Sequence, residues 1–347
     1  MEQTVNKKLI FNPNGNDDLS ERTIIKGNST GIFNLSESKY KWATSLYRKI
    51  ISQFWIPERI SLIEDRKDYL LLDEHERDIF VSILSFLTFL DSIQTNNIPK
   101  VADYITASEV STVLSAQAFY EVIHSQSYSY IIDSVIPAED RKQVYEKWRT
   151  NEVLFERNKY IAQIYQKFWD SPSDENLAMV IIANYILESI YFYNGFIFFY
   201  NLASRGLMPN VASEIKLINR DEVDHISIFS NIINTIKKEF PTFFNDEIIK
   251  NMFSFACFEE VKWFNYILKN SNIIGLNQKS TEAYTKYLVN ERLERIGIEP
   301  LYKGFTHNPY ASLELHSDSE SQGTKTNFFE KKQTNYSGHE SLGDWDF

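Results

Sequence analysis

The amino-acid sequence predicts an all-α protein built as one helical bundle, and three observations predict it. Glycine (11) and proline (9) are scarce among 347 residues, each about 3% against the usual ~7% and ~5%, so helix breakers are few. Eight long segments carry apolar residues at helical spacing, with breaks at Pro57, Pro99, Pro137, Pro172, Pro209 and Pro241. Several of these segments are apolar over most of their circumference, which marks them as central helices.

Residues 1–37 are polar and contain the turn signal Asn12-Pro13-Asn14-Gly15, so an extended N-terminal arm is expected there. Helices are predicted over 38–53, 74–96, 107–134, 138–169, 174–204, 211–238, 243–270 and 280–296. The most apolar stretches are FVSILSFLTFLDSI (80–93) and MVIIANYILESIYFYNGFIFFYNLA (179–203), whose few charges are expected inside. Residues 38–310 therefore form one helical domain. The segment 311–347 is rich in Ser, Thr, Gly, Asn and charge and is expected to be a mobile tail.

A net charge of −11 argues against a general nucleic-acid or anionic-membrane surface, which needs clustered positive charge. The N-terminus lacks an apolar signal region, and no stretch approaches the roughly 18 uninterrupted apolar residues of a membrane span. The single cysteine, Cys257, excludes an intramolecular disulfide and dithiol chemistry within the chain. A cytoplasmic protein is the expectation. Aromatic residues are unusually abundant: 25 Phe, 20 Tyr and 6 Trp.

The two halves share one short pattern, Glu-x-x-His, at Glu121–His124 and at Glu222–His225. Spacing of three puts both side chains on one helix face, near enough to hold one metal ion. Two matches to so short a pattern are weak alone, and satisfied core histidines are the plain alternative. Two further acids, Asp91 in FLTFLDSIQ and Glu188 in YILESIYFY, lie in the most apolar helices. Buried carboxylates are costly unless paired or metal-bound. Six ligands rich in carboxylate, with two imidazoles, suit a pair of iron or manganese ions, whereas zinc more often recruits Cys or a third His. One acid from each of two helices plus Glu-x-x-His from each of two others is the arrangement of ferritin-like di-iron and di-manganese bundles, with Asp91 here in place of one Glu.

Read with their flanks, these residues resemble the small, radical-generating subunit of class I ribonucleotide reductase. The resembling segments are FWIPERISLIEDRKDY (54–69), FLTFLDSIQ (86–94), FYEVIHSQSYSYII (119–132), LESIYFY (187–193), LINRDEVDHISIF (217–229) and KTNFFEKKQTNY (325–336). The resemblance implies a ferritin-like homodimer holding two metal ions per chain: iron first, with manganese or a mixed manganese-iron pair as alternatives. It gives Asp91, Glu121 and His124 to one ion and Glu188, Glu222 and His225 to the other, with Glu121 and Glu222 as candidate bridges. Tyr128 matches the tyrosine that stores the radical; it lies four residues after His124, about 6 Å of axial rise along the same helix face. Phe192, Phe196 and Ile218 match the apolar radical shield. Trp55 and Asp221, the latter expected beside His225, match the start of the radical-transfer path, and Tyr336 its last residue in this chain.

The implied activity is that of a ribonucleoside-diphosphate reductase, with nucleotide chemistry and reactive thiols on a separate large subunit. The C-terminus would dock there, and Trp345 and Phe347 are its candidate anchors. The sequence leaves open whether an activating flavoprotein takes part. Two rivals share the bundle: an oxidase or monooxygenase with a ligand channel, and an iron-storage cage, which would need neither Tyr128, Trp55 nor the tail.

Overall fold

A computed structural model describes residues 6–314 apart from 270 and 272. Among the described residues the regular structure is helical: α1 (Lys41–Ser52), α2 (Ile63–Leu71), α3 (Glu74–Ala102), α4 (Ser108–Val135), α5 (Arg141–Thr150), α6 (Glu152–Asp170), α7 (Asp174–Ile186), α8 (Tyr193–Ser204), α9 (Pro209–Glu239), α10 (Asp246–Ile267) and α11 (Gln278–Arg295). A five-residue π-helical segment, Leu187–Tyr191, joins α7 to α8. The all-α expectation holds, and α3, α4, α7–α8 and α9 carry the acids singled out above.

Several helix starts are written locally. Asp73 accepts the Glu76 amide at 2.7 Å to cap α3, Ser173 accepts Asn176 N at 3.1 Å to cap α7, and Asn277 accepts Ser280 N at 3.0 Å to cap α11. Helix α9 begins with Pro209 and borrows its cap: the carboxylate of Asp65, on α2, accepts Val211 N at 2.5 Å and Asn210 Nδ2 at 2.7 Å.

Four boundaries differ from the sequence expectation. The segment 138–169 is two helices, because Asn151 is extended (φ −88°, ψ 115°) and its side chain accepts Leu154 N at 3.1 Å, starting a new helix. Helix α3 runs through Pro99 for one more turn. Helix α2 was not expected. The continuous helix predicted over 174–204 is interrupted by the π segment, and one extra residue rotates all that follows by about 100°.

The N-terminal arm is extended, as expected, but it is fastened to the bundle. Ile24 and Ile25 are buried, and Arg22 Nη1 meets Glu109 Oε2 at 3.0 Å in a buried pair. The other Glu109 oxygen accepts the backbone amides of Lys39 and Tyr40 at 2.9 and 3.2 Å. A carboxylate with three such donors is compensated for its burial.

The segments 74–102 and 174–204 are long and apolar enough to cross a membrane, yet 67% and 94% of their most apolar windows are buried inside the protein, as in core helices. Gly195 on α8 allows close approach to α3: a Cβ there would lie 3.0 Å from Phe86 Cζ and 3.1 Å from Ile83 Cγ2.

Candidate metal centre

Helical spacing delivers the two Glu-x-x-His pairs to one cavity. Glu121 and His124 project from α4, Glu222 and His225 from α9, Asp91 from α3 and Glu188 from the π segment. All six are buried. The Nδ1 atom of His124 lies 3.8 Å from Asp91 Oδ2, 3.5 Å from Glu121 Oε2 and 3.2 Å from Glu222 Oε1. The Nδ1 atom of His225 lies 3.1 Å from Glu121 Oε1, 3.6 Å from Glu188 Oε2 and 3.2 Å from Glu222 Oε2. Glu121 and Glu222 thus each turn one oxygen toward each imidazole, the disposition a bridging carboxylate needs.

The donor atoms fit two cations. Both oxygens of Asp91 and of Glu121, Oε2 of Glu188, Oε1 of Glu222 and Nδ1 of His124 are buried without a hydrogen bond. Two overlapping clusters, Asp91–Glu121–His124 and Glu121–Glu188–Glu222–His225, each bring their ligand atoms within 4.8 Å of one another. Buried lone pairs are rarely left unmet in a native protein, and two cations would satisfy them here. The charges point the same way. Burial and the neighbouring Glu121 push the carboxyls of Asp91 and Glu188 well above the usual carboxylate range. Burial also opposes the ionisation of Glu222, but the charge of His225 and the close approach of Glu188 and His124 outweigh it and hold Glu222 low. Burial disfavours the imidazolium forms too, yet the surrounding carboxylates raise both histidines: Asp221, Glu121 and Glu222 act on His124, and Glu121, Glu222 and Glu188 on His225. Without metal the cavity draws in protons as stand-in cations, so binding metal must release them.

Trp55 donates its indole N–H to Asp221 Oδ2 at 2.7 Å, and the same oxygen lies 3.4 Å from Nε2 of His124. Asp221 therefore serves His124 and not, as expected, His225. The reason is local: Asp221 and Glu222 are consecutive on α9, and the ring of His124 faces both, offering Nδ1 to one and Nε2 to the other. Arg220 holds the second oxygen of Asp221 at 2.8 Å.

Tyr128 is fully buried, and its hydroxyl makes no hydrogen bond. Burial, then the charges of Asp91 and Glu222, raise its pKa far above the usual phenol value, so it is neutral at rest. Phe192, Phe196 and Ile218 are buried, with the two phenyl rings 6.0 Å apart. Tyr336, Trp345 and Phe347 lie outside the described residues.

Several supporting residues escaped sequence reasoning. Gln94 and Gln117 donate to Oε1 of Glu188; they sit three residues after Asp91 and four before Glu121, so helical spacing from the ligands could have found them. Arg157 was invisible to spacing. Fully buried, it donates to Glu260 Oε2 at 2.6 Å and to the carbonyl of Tyr191 at 2.7 Å, at the end of the π segment that carries Glu188.

Glu214 on α9 is another, and it yields a pH prediction. It accepts the Ser127 hydroxyl at 2.5 Å, one residue before Tyr128. Burial pushes its carboxyl up to about 8 from an ordinary value of 4.5, against the pull of that hydrogen bond. A raised folded-state pKa contributes stability that is complete below the unfolded value and is lost as pH climbs through the folded one. Between about pH 5 and pH 8.5 the wild type should lose roughly 2–4 kcal/mol that Glu214→Gln does not lose. Urea denaturation of both apoproteins at the two pH values measures this, and a pH-independent gap between them would reject it.

Four helices that converge on two acid–histidine pairs and two further carboxylates define a helical-bundle protein whose buried carboxylate cluster could hold two metal ions. Residues 32–309 match the family described as ribonucleotide reductase, small chain. The chain belongs to that family. It is 41% identical over 341 residues to the ribonucleoside-diphosphate reductase subunit beta of Treponema pallidum, covering 97% of each chain. Its fold superposes on the ribonucleotide reductase R2 subunit from Clostridium botulinum with a TM-score of 0.87 at 45% identity, over 91% of this chain and 99% of that one. A structure titled as a class I ribonucleotide reductase from Bacillus halodurans gives a TM-score of 0.77 at 36% identity, over 80% and 99%.

Proposed function

We propose that the chain is the radical-generating small subunit of a class I ribonucleoside-diphosphate reductase, storing an oxidising equivalent on Tyr128 for use by a separate large subunit. The observation that carries this is the sharing of Glu121 and Glu222 between two imidazoles in a buried cavity whose ligand atoms lack other partners.

Asp91, Glu121 and His124 would hold one ion and Glu188, Glu222 and His225 the other, with iron first and manganese or a mixed pair as alternatives that the same donors accept. When bound, the metals supply, with dioxygen or an activated oxygen species, the one-electron oxidising power that the protein lacks. The chain's own residues do the rest. Tyr128 would give up an electron to that oxidant and its hydroxyl proton to the Asp91 carboxylate, the neighbouring group whose charge acts directly on that hydroxyl. Phe192, Phe196 and Ile218 exclude water, without which a tyrosyl radical is short-lived. Asp221 fixes the His124 ring and the Trp55 indole together, which makes the two the inner end of the transfer path. Tyr336 would be its outer end.

Nucleotide reduction is assigned to the partner, since Cys257 is the single cysteine here and, buried in the fold, cannot make the dithiol that the reduction uses. The tail, with Trp345 and Phe347 as anchors, is assigned to docking on that large subunit. Exposed Ile51, Phe54, Phe119 and Val122 on and beside α1 and α4 support a homodimer. A cytoplasmic location accords with the single cysteine, and an activating flavoprotein remains a candidate partner.

The test is reconstitution. Metal-loaded protein mixed with its large subunit should reduce ribonucleoside diphosphates, and alone it should reduce none. Deleting residues 331–347 should bring the mixture to background while leaving metal content unchanged; full activity in the truncated chain would sink the docking assignment.

A further inference from the structure

The carboxylates unique to each metal position are held differently. Asp91 offers both oxygens to the cavity without a hydrogen bond. Glu188 is divided. Its Oε1 accepts Gln117 Nε2 at 2.8 Å and also Gln94 Nε2, whereas its Oε2 has no hydrogen bond and faces Nδ1 of His225 at 3.6 Å. Gln94 is itself oriented, because its Oε1 accepts the Tyr165 hydroxyl at 2.7 Å. A carboxylate only accepts, so Glu188 draws the NH2 of Gln94 toward itself, and the Tyr165 hydroxyl meets the amide oxygen left on the other side and holds the side chain in place. Gln94, Gln117 and Glu188 are fully buried and Tyr165 nearly so. The three supporting side chains come from three different helices, α3, α4 and α6.

We propose that Gln94, Gln117 and Tyr165 are positioning residues that commit one oxygen of Glu188 to the protein and leave the other for metal. The Glu188–His225 position then depends on this clamp for its affinity, and the Asp91–His124 position does not. The inference rests on the two-metal reading above. A carboxylate held through one oxygen is already turned for single-oxygen ligation, so little ordering is left to be done when the ion arrives. Loss of an outer partner of a metal ligand typically costs roughly 10–100-fold in affinity.

The experiment is titration of the full-length, metal-free protein with Mn(II) alone, with free and bound metal read by electron paramagnetic resonance. Wild type should fill to a magnetically coupled pair. In Gln94→Leu/Gln117→Leu the first ion should bind as in wild type and the second roughly 10–100-fold more weakly, so an isolated Mn(II) signal grows at intermediate metal. Tyr165→Phe, which keeps both glutamines and leaves the Gln94 oxygen without its donor, should shift the second ion in the same direction by a smaller factor. Circular dichroism melts of the apoproteins show whether each variant is folded. Variants that bind both ions like wild type would overturn the clamp, and so would a folded variant in which both ions weaken equally. A wild type that binds no pair would instead overturn the two-metal reading itself.

Discussion

Tyr128→Phe should abolish the tyrosyl-radical signal and bring reductase activity in the reconstituted mixture to background, while binding the same two equivalents of metal as wild type. The substitution removes one oxygen and no proposed ligand: all six side chains proposed to bind metal lie on other residues, and the ring keeps its place on α4. It should not destabilise the fold. The Tyr128 hydroxyl is buried with no partner at hydrogen-bonding distance, so its removal strands no donor or acceptor, and the change in stability should stay within about 1 kcal/mol. Electron paramagnetic resonance of the metal-loaded variant, thermal melts and metal analysis check the three parts separately. A radical signal that survives unchanged would move the stored oxidation to another tyrosine and reject the assignment.

The bundle was legible in the sequence because its signals are local. Scarce glycine and proline, uninterrupted 3.6-residue periodicity and capping residues such as Asp73 and Ser173 act within one or two turns. The cluster of six buried acids and imidazoles was legible for a related reason: a three-residue spacing fixes which side chains share a helix face, and acids inside apolar helices advertise an energetic cost that something must offset. What sequence could not supply was the relation between helices. Asp221 was expected beside His225, its neighbour on α9, but it serves His124 across the bundle. Tyr165, which meets Gln94, and Arg157, which holds the Tyr191 carbonyl, come from α6, a helix that carries none of the six clustered acids and histidines and gives no spacing to follow. The π segment also hides in sequence, because 174–204 is uniformly apolar and one inserted residue leaves no gap in the hydrophobic pattern. Its visible trace is chemical: Glu188 is presented to the cavity while Arg157 holds the Tyr191 carbonyl at the segment's end.

Asp221→Asn should separate radical storage from radical transfer. In the wild type the two carboxylate oxygens of Asp221 receive donors only: Trp55 Nε1 at 2.7 Å and, when its nitrogen carries the proton, His124 Nε2 at 3.4 Å on Oδ2, with Arg220 Nη2 at 2.8 Å on Oδ1. An amide has one acceptor end and one donor end. If its oxygen takes the Trp55 side, its NH2 points at Arg220; if it turns over, its NH2 points at the indole and the imidazole. Either way a buried donor faces a donor, and the shared hydrogen bond that links His124 to Trp55 weakens or is lost. The face of His124 proposed to bind metal is untouched, because Nδ1 and not Nε2 looks toward Glu121 and Glu222. The expected result is a protein that binds two metals, forms the Tyr128 radical and yet gives turnover at background with the large subunit. Trp55→Phe should behave alike, and because both residues act in one path the double variant should be no worse than either single one. Rates, radical yield and metal content measured on the three variants decide it. Near-wild-type turnover in Asp221→Asn would show that oxidation leaves this chain by another route, and additive losses in the double variant would show that Trp55 and Asp221 act independently.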